Sequence, residues 1–423
     1  MRVIVAGGGI GGLTAAMALH AQGIEVQVYE SVVELAPLGV GINLLPHAMA
    51  HLQRLDLMEL VLPLGVQTAE LCFFNRHGQL IWREPRGLAA GYPIPQLSVH
   101  RGHLHMTLLA EARRRLGDAA VLNAHAVQSF SEDERGRVTV KLLDRASDRV
   151  VTDTADVLVA ADGIHSTIRQ ILYPDQGPPS WQGDILWRAT SRWKPFLTGS
   201  SMFMAGHLPH KFVAYPLSEI GDDGLQTINW IAELDRTAFG MLHREDWNRR
   251  GNFDDFMPHF EDWSFDWLDI PSMCRATDTV FEFPMVDRDP LERWTFGRVT
   301  LLGDAAHPMY PIGSNGASQA IIDGLVLADA LADTVAEGAS VESGLARYEE
   351  QRRPRTSQIV LSNRQHGPER VMDLAEKRAP NGFADVSEVF APGELEEISA
   401  QYKQVAGFDL ASILSGGRSP RTS

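Results

Sequence analysis

Three acidic residues stand where short apolar runs stop. Glu30 follows Val26-Gln27-Val28-Tyr29, Asp162 follows Asp156-Val157-Leu158-Val159-Ala160-Ala161, and Asp304 follows Gly297-Arg298-Val299-Thr300-Leu301-Leu302-Gly303. Such runs read as buried strands. An open α/β sheet binds its ligands beyond the carboxyl ends of its strands, so all three carboxylates are placed to accept hydrogen bonds from a ligand. Gly7, Gly9 and Gly12, within Gly7-Gly8-Gly9-Ile10-Gly11-Gly12, supply a different chemistry. They fit G-x-G-x-x-G, in which the first glycine makes a tight turn, the second lets backbone amides approach a pyrophosphate, and the third lets helix and strand pack closely.

The elements around the glycines agree with that reading. Arg2-Val3-Ile4-Val5-Ala6 is apolar and β-branched, and Leu13-Thr14-Ala15-Ala16-Met17-Ala18-Leu19 is a good helix former, giving strand, turn, helix. An anion then sits on the positive end of the helix. Glu30 falls roughly 20 residues on, where a carboxylate accepts from a ribose diol and suits an adenosine without a 2′-phosphate. This fingerprint does not separate NAD from FAD.

The other motifs decide. In order and separation, the glycine motif, Asp162-Gly163-Ile164-His165-Ser166-Thr167-Ile168-Arg169 and Gly303-Asp304-Ala305-Ala306-His307-Pro308 resemble the FAD-dependent, single-component aromatic hydroxylases of the p-hydroxybenzoate hydroxylase fold. Leu38-Gly39-Val40-Gly41-Ile42-Asn43-Leu44-Leu45-Pro46 and His100-Arg101-Gly102-His103-Leu104 resemble two further stretches of that family, and the likeness spans residues 1–365. It implies bound FAD, NADH or NADPH as reductant, and O2. By the same resemblance Asp304 binds ribityl hydroxyls, Asp162 helps to position flavin and nicotinamide, Arg101 contacts FAD, and the loop with Val40 and Gly41 runs along the flavin. Ile10, Gly11 and Val127 are carried over as further cofactor contacts, as are Pro311, Gly313, Gly316, Ala317 and Ser318. These last five belong to a turn-rich stretch expected to open a helix at Ala320, whose start offers amides and positive potential to the pyrimidine edge of an isoalloxazine. Many relatives have Asn or Gly where Ser318 stands, and a backbone amide contact survives that change.

Some strings are similar to the bacterial phenazine hydroxylases, methylphenazine-carboxylate monooxygenases among them. They include Glu84-Pro85-Arg86-Gly87, Tyr215-Pro216 followed by Asn229-Trp230, Pro284-Met285-Val286-Asp287-Arg288-Asp289-Pro290-Leu291, and Met309-Tyr310-Pro311. The resemblance implies an enzyme of secondary metabolism acting on a planar heteroaromatic substrate such as a phenazine carboxylate. Oxygen would be delivered to the ring from a flavin C4a-hydroperoxide, in a site that excludes water. Trp187, Arg188, Tyr215 and Tyr310 are the candidates to line the substrate pocket, with a salt bridge beneath the sheet as the plain alternative for Arg188. No base is identified. The competing readings are a monocyclic hydroxybenzoate or salicylate-type hydroxylase, a non-oxygenating FAD reductase, and a protein that keeps FAD as a structural part.

The implied fold class is α/β: a Rossmann-like FAD-binding domain with an interleaved β-sheet substrate domain and a C-terminal helix. The FAD layer comprises 1–70, 99–174 and 284–365, the substrate domain 71–98 and 175–283, and a C-terminal helical segment with a mobile tail follows over 366–423. Within the first, 127–156 reads as a three-strand antiparallel excursion. A last helix spans 341–366, where Pro354 should kink it.

Composition narrows the class. With 423 residues and 44% apolar content the chain buries a large core. No apolar run approaches the roughly 20 residues of a spanning helix, and the chain opens on a core strand without a signal-peptide pattern. Only Cys72 and Cys274 are present, which makes no disulfide framework and favours a reducing cytoplasm. A formal charge of −16 argues against nucleic acid and anionic membranes as partners. The expected partners are a small aromatic substrate, O2 and NAD(P)H, with the protein a monomer or homodimer. His47 and His51 have the i, i+4 spacing of zinc ligands, but no third ligand is evident and no metal is expected. His100, His103 and His105 read as a partly exposed helix start, and His307 as structural. Neither a Gly-x-Ser-x-Gly hydrolase motif nor the Trp-x-Trp-x-Ile-Pro signature of flavin halogenases occurs.

Overall fold

The computed structural model describes residues 1–236 and 249–414. Five strands form a parallel core in the order Val299–Leu301, Val157–Ala160, Arg2–Ala6, Glu25–Tyr29, Val121–Leu122, and Thr295–Phe296 adds an antiparallel edge. Val5 pairs with Val159 on one side and Val28 on the other, so the strands carrying the three acids end at the same rim. The Ile10–Ala21 helix is buried from Gly12 to Leu19 because it lies among the sheet and two more helices, Arg101–Leu116 and Gly316–Glu337. The antiparallel excursion is present as His125–Glu132, Val138–Asp144 and Arg149–Ala155.

A second sheet has seven strands in the order Phe281–Asp287, Ser180–Trp193, Gln226–Asp235, His210–Pro216, Ser201–His207, Glu70–Phe74, Leu80–Pro85. Side chains alternate across it. Trp187, Phe203, Phe212 and Trp230 face a core completed by Phe256 and Phe260. Leu71, Met202, Met204, Val213 and Tyr215 face the other way, where the Arg370–Arg378 helix supplies Val371, Met372 and Ala375.

Four sequence expectations need correction or qualification. Phe281–Asp287 is one continuous strand of the second sheet, so the boundary placed between 283 and 284 falls inside an element. The helix expected to open at Ala320 opens at Gly316, after Asn315. The helix expected over 341–366 is Val341–Asn363 and runs through Pro354. Proline deprives the Glu350 carbonyl of its helical donor, and Glu350 is an exposed residue. The tail from Ser415 onward lies outside the described residues. Among the described residues, no helix is long and apolar enough to cross a membrane.

Candidate functional site

The glycine turn is set by contacts that exclude side chains. Gly7 has φ +111°, and a Cβ there would fall 2.2 Å from the Ala161 carbonyl oxygen. One at Gly12 would fall 2.0 Å from the Gly7 oxygen. At Gly9 the opposite holds: nothing lies within 4 Å, and its free side opens at the N-terminus of the Ile10–Ala21 helix. Ile10 and Gly11 are the first residues of that helix, whose leading N–H groups have no helical acceptor.

Glu30 serves the loop as well as the rim. Its Oε2 accepts the Gly8 N–H at 2.7 Å and its Oε1 the Val32 N–H at 2.8 Å, so a ribose would share the remaining lone pairs. On the other side of the same residue, His105 Nε2 bonds to the Gly8 carbonyl at 2.6 Å. Gly8 is thus held from both sides, a role the sequence reading of the histidine cluster missed. Val127 is half-buried, two residues beyond His125, whose N–H bonds to the Glu30 carbonyl.

Asp162 and Asp304 occupy loops clasped by one guanidinium. Arg169 donates to the carbonyls of Ala305 and Ala306 at 2.9 and 3.0 Å and to Gln176 at 2.7 Å. Burial pushes it down to about 9, still cationic at neutral pH. The sequence signal was its place in the Asp162 motif, which by itself named no partner. Asp162 Oδ2 accepts from Thr167 N–H at 2.9 Å, while Oδ1 is buried with no hydrogen-bond partner among the described residues. Asp304 opens onto the cleft yet lies deep enough that burial raises its pKa, against the opposing charges of His307 and Arg101. Burial lowers Arg101, and Asp304 counters that.

His307 faces inward. Its Nε2 meets Asp323 Oδ2 at 2.6 Å, and Asp323 also accepts the Gly303 N–H at 3.0 Å and Arg352 Nε at 2.7 Å. The surrounding cations outweigh burial and hold Asp323 at about 2. This network braces the Asp304 turn from behind.

The stretch after it ends in the helix start. Pro311 is exposed, Gly313 has φ +67°, and nothing lies within 4 Å of where a Gly316 Cβ would be. Ser318 is buried, and its Oγ accepts the Leu45 N–H at 3.1 Å. Because the helix starts at Gly316, the amides of Gly316, Ala317 and Ser318 belong to its first turn, where N–H groups lack helical partners.

The wall opposite is the second sheet. Val40 is buried, and a Cβ on Gly41 would fall 2.7 Å from Tyr215 Cε2 and 2.8 Å from Asn229, whose Oδ1 accepts the Gly41 N–H at 2.7 Å. The Arg188 guanidinium lies 5.1 Å over the centre of the Phe283 ring. Burial and the like charge of Arg101 push it down to about 10. Tyr310 is buried with Leu186, Phe283, Met285 and Ile312, and its hydroxyl has no hydrogen-bond partner among the described residues. Burial raises both Tyr215 and Tyr310, so each remains a neutral phenol. Trp187 is a correction. It points to the opposite face, stacked 5.6 Å from Phe256, because neighbours on a strand alternate and Arg188 takes the cleft side.

The two helical histidines do not converge. His47 bonds to Gln319 at 3.1 Å, and His51 Nδ1 to the His47 carbonyl at 2.7 Å. Cys72 and Cys274 are buried and free.

Comparison with known proteins finds relatives that bind FAD or hydroxylate aromatic acids. A family model described as FAD binding domain matches residues 1–178 and 279–363. The phenazine 1,6-dicarboxylic acid hydroxylase PhzS of Lysobacter antibioticus is 44% identical over 366 residues, 86% of this chain and 89% of the relative. A 3-hydroxybenzoate 6-hydroxylase of Polaromonas naphthalenivorans is 30% identical over 409 residues, 91% of this chain and 94% of its own. Among solved structures, Klebsiella pneumoniae HpxO complexed with FAD and uric acid shares the fold, with TM-score 0.73 at 23% identity over 98% of this chain and 97% of that one.

Proposed function

Because this chain belongs to the FAD-dependent aromatic hydroxylases, we propose that it oxygenates a planar, fused heteroaromatic carboxylate of the phenazine type, using O2 and NADH or NADPH. Bound FAD supplies the redox chemistry, accepting hydride from the nicotinamide and activating O2. The residues present fit such a cofactor: an open approach at Gly9 and Gly316, an unpartnered buried Asp162 oxygen, and Asp304 opening onto the cleft.

In this reading Gly7, Gly9, Ile10, Gly11 and Gly12 receive the pyrophosphate, with Glu30 and Val127 at the adenosine end. Asp304 and Arg101 hold the ribityl and phosphate region, Asp162 stands at the flavin, and Val40 and Gly41 run along the ring. Pro311, Gly313, Gly316, Ala317 and Ser318 offer backbone to its pyrimidine edge. The parallel-sheet layer is the cofactor domain, and the seven-stranded sheet forms the substrate domain above it.

The observation that carries the substrate class is Arg188. It is a buried cation beside a second one, Arg101, in a wall otherwise made of Leu186, Phe283, Met285 and the two tyrosines. Two neighbouring cations give the wall a positive potential that suits a carboxylate, and flat aromatic surfaces pack the remainder. Tyr310 offers a ring nitrogen or oxygen a hydroxyl that has no partner among the described residues. Tyr215, pressed against Gly41, sets the distance between sheet and flavin loop. Similarity to the Lysobacter phenazine hydroxylase supports the fused ring. The test follows NAD(P)H consumption and product mass under 18O2. Phenazine carboxylates should gain one labelled oxygen, with or without loss of the carboxyl group. Turnover of hydroxybenzoates alone would replace this reading with a monocyclic hydroxylase.

A further inference from the structure

The family match ends at residue 363, but the chain continues into Arg370–Arg378 and Glu394–Ala406. The second of these helices is docked by the Glu84-Pro85-Arg86-Gly87 string, to which no role has yet fallen. Glu84 is buried and paired with Lys403 and with Arg86. The Arg86 guanidinium lies 5.9 Å from the centre of the Phe408 ring, and the Tyr92 hydroxyl donates to the Phe408 carbonyl at 2.7 Å. These contacts anchor the C-terminal end of the helix, and Tyr402 immediately precedes the anchored Lys403.

Tyr402 is 5% exposed. Its hydroxyl accepts from Asn315 Nδ2 at 2.8 Å and has two acceptors for its own proton, Asn363 Oδ1 at 3.0 Å and the Ile312 carbonyl at 3.3 Å. Asn315 immediately precedes the Gly316–Glu337 helix. Gly313 leaves no alternative path: its φ is +67°, and a Cβ there would fall 1.9 Å from the Tyr402 oxygen. One phenol therefore holds the back of the whole turn whose front carries Pro311, Gly313 and Gly316.

We propose that Tyr402 is a positioning residue that sets the Ile312–Ser314 turn and the first amides of the following helix against the flavin. The C-terminal segment would thereby govern how much reducing equivalent ends in product rather than in hydrogen peroxide. The inference rests on the flavin assignment of this turn made above. Amides at a helix start stabilise negative charge on the pyrimidine edge of the reduced ring, and that stabilisation depends on their placement. Small displacements of positioning groups are costly in catalysis.

Tyr402→Phe removes the hydroxyl and keeps the ring. The full-length variant should bind FAD at the wild-type ratio, yet show a more negative flavin midpoint potential and a peroxide yield per NAD(P)H raised about threefold to tenfold, the equivalent of one neutral hydrogen bond. A flavin-replete, folded Tyr402→Phe with wild-type potential and peroxide yield overturns the inference. Should that variant fail to fold, Lys403→Gln loosens the anchor from outside the turn and carries the same expectation in smaller measure; an unchanged peroxide yield there overturns it equally. Wild-type protein that binds no FAD would overturn the flavin reading of the turn and this inference with it. A flavin-replete wild type with indifferent variants would overturn the inference alone.

Discussion

Asn229 Oδ1 accepts the N–H of Gly41 at 2.7 Å, joining residues 188 positions apart in the chain. Asn229 lies in the middle of the seven-stranded sheet and is fully buried, while Gly41 begins the Gly41–Leu44 strand of the cofactor layer. The bond fixes the gap in which flavin and substrate would meet. Asn229→Ala leaves the Gly41 N–H buried and unpaired, which costs about 1–3 kcal/mol. Denaturant unfolding should show a loss of that size. A loss inside experimental error would mean that water or a rearranged loop replaces the bond.

Cofactor retention tests the acids directly. Asp304→Ala combined with Glu30→Ala should give a folded protein that purifies largely colourless, judged by circular dichroism and the flavin band. Glu30→Ala also frees the Gly8 N–H, so the double variant should melt somewhat lower than Asp304→Ala. Stoichiometric flavin in the double variant would remove both residues from the cofactor site.

Arg188 separates substrate binding from flavin binding. Charged hydrogen bonds contribute roughly 1.5–3 kcal/mol, so Arg188→Ala should weaken substrate affinity about tenfold to a hundredfold while FAD content stays at the wild-type value. Flavin titration with substrate reads the first and absorbance the second. Equal affinity in the two proteins would move the carboxylate elsewhere.

Two acids, the buried Asp323 and the half-buried Asp184, should give opposite pH slopes. Asp323 is held at about 2 by His307 and Arg352, so its contribution is complete above the ordinary carboxylate range and is lost as pH falls toward 2. Asp323→Asn leaves Arg352 buried without its charge partner and should cost about 3–5 kcal/mol at neutral pH. Asp184 is raised to about 6 by burial and by Glu233, so its ionisation destabilises the fold as pH climbs from about 4 to 6. Asp184→Asn should raise the melting temperature at pH 7 and leave it nearly unchanged at pH 4. A gain of the same size at both values would show that Asp184 acts through packing alone.

The thiols should be silent. Cys72 and Cys274 are free and buried, and burial pushes Cys72 up to about 12 and Cys274 well above its ordinary value. Neither forms much thiolate at neutral pH, so thiol reagents should label both only on unfolding, and reductant should leave the melting temperature unchanged.

What the sequence determined by itself was local. The strand, glycine turn and helix over 2–21, and the acids at strand ends, follow from sterics and hydrogen bonds spanning a few residues, so composition in a short window specifies them. The alternation that separates Trp187 from Arg188 was equally visible, since a strand has period two. Which of the two faced the cleft was not, because that depends on Phe256 and Phe260 arriving from another part of the chain. The helix start at Gly316 escaped because turn-forming residues there are overruled by Tyr402 and Asn363. Arg169 on the Ala305 and Ala306 carbonyls, Asp323 between His307 and Arg352, Asn229 on Gly41 and Glu84 on Lys403 have the same origin. Each satisfies a buried polar group with a partner remote in sequence, and a buried group takes whichever partner the packing brings within reach. Short-range geometry in the sequence pointed to a dinucleotide, the resemblance of three motifs pointed to FAD, and tertiary structure alone decided which residues hold that geometry still.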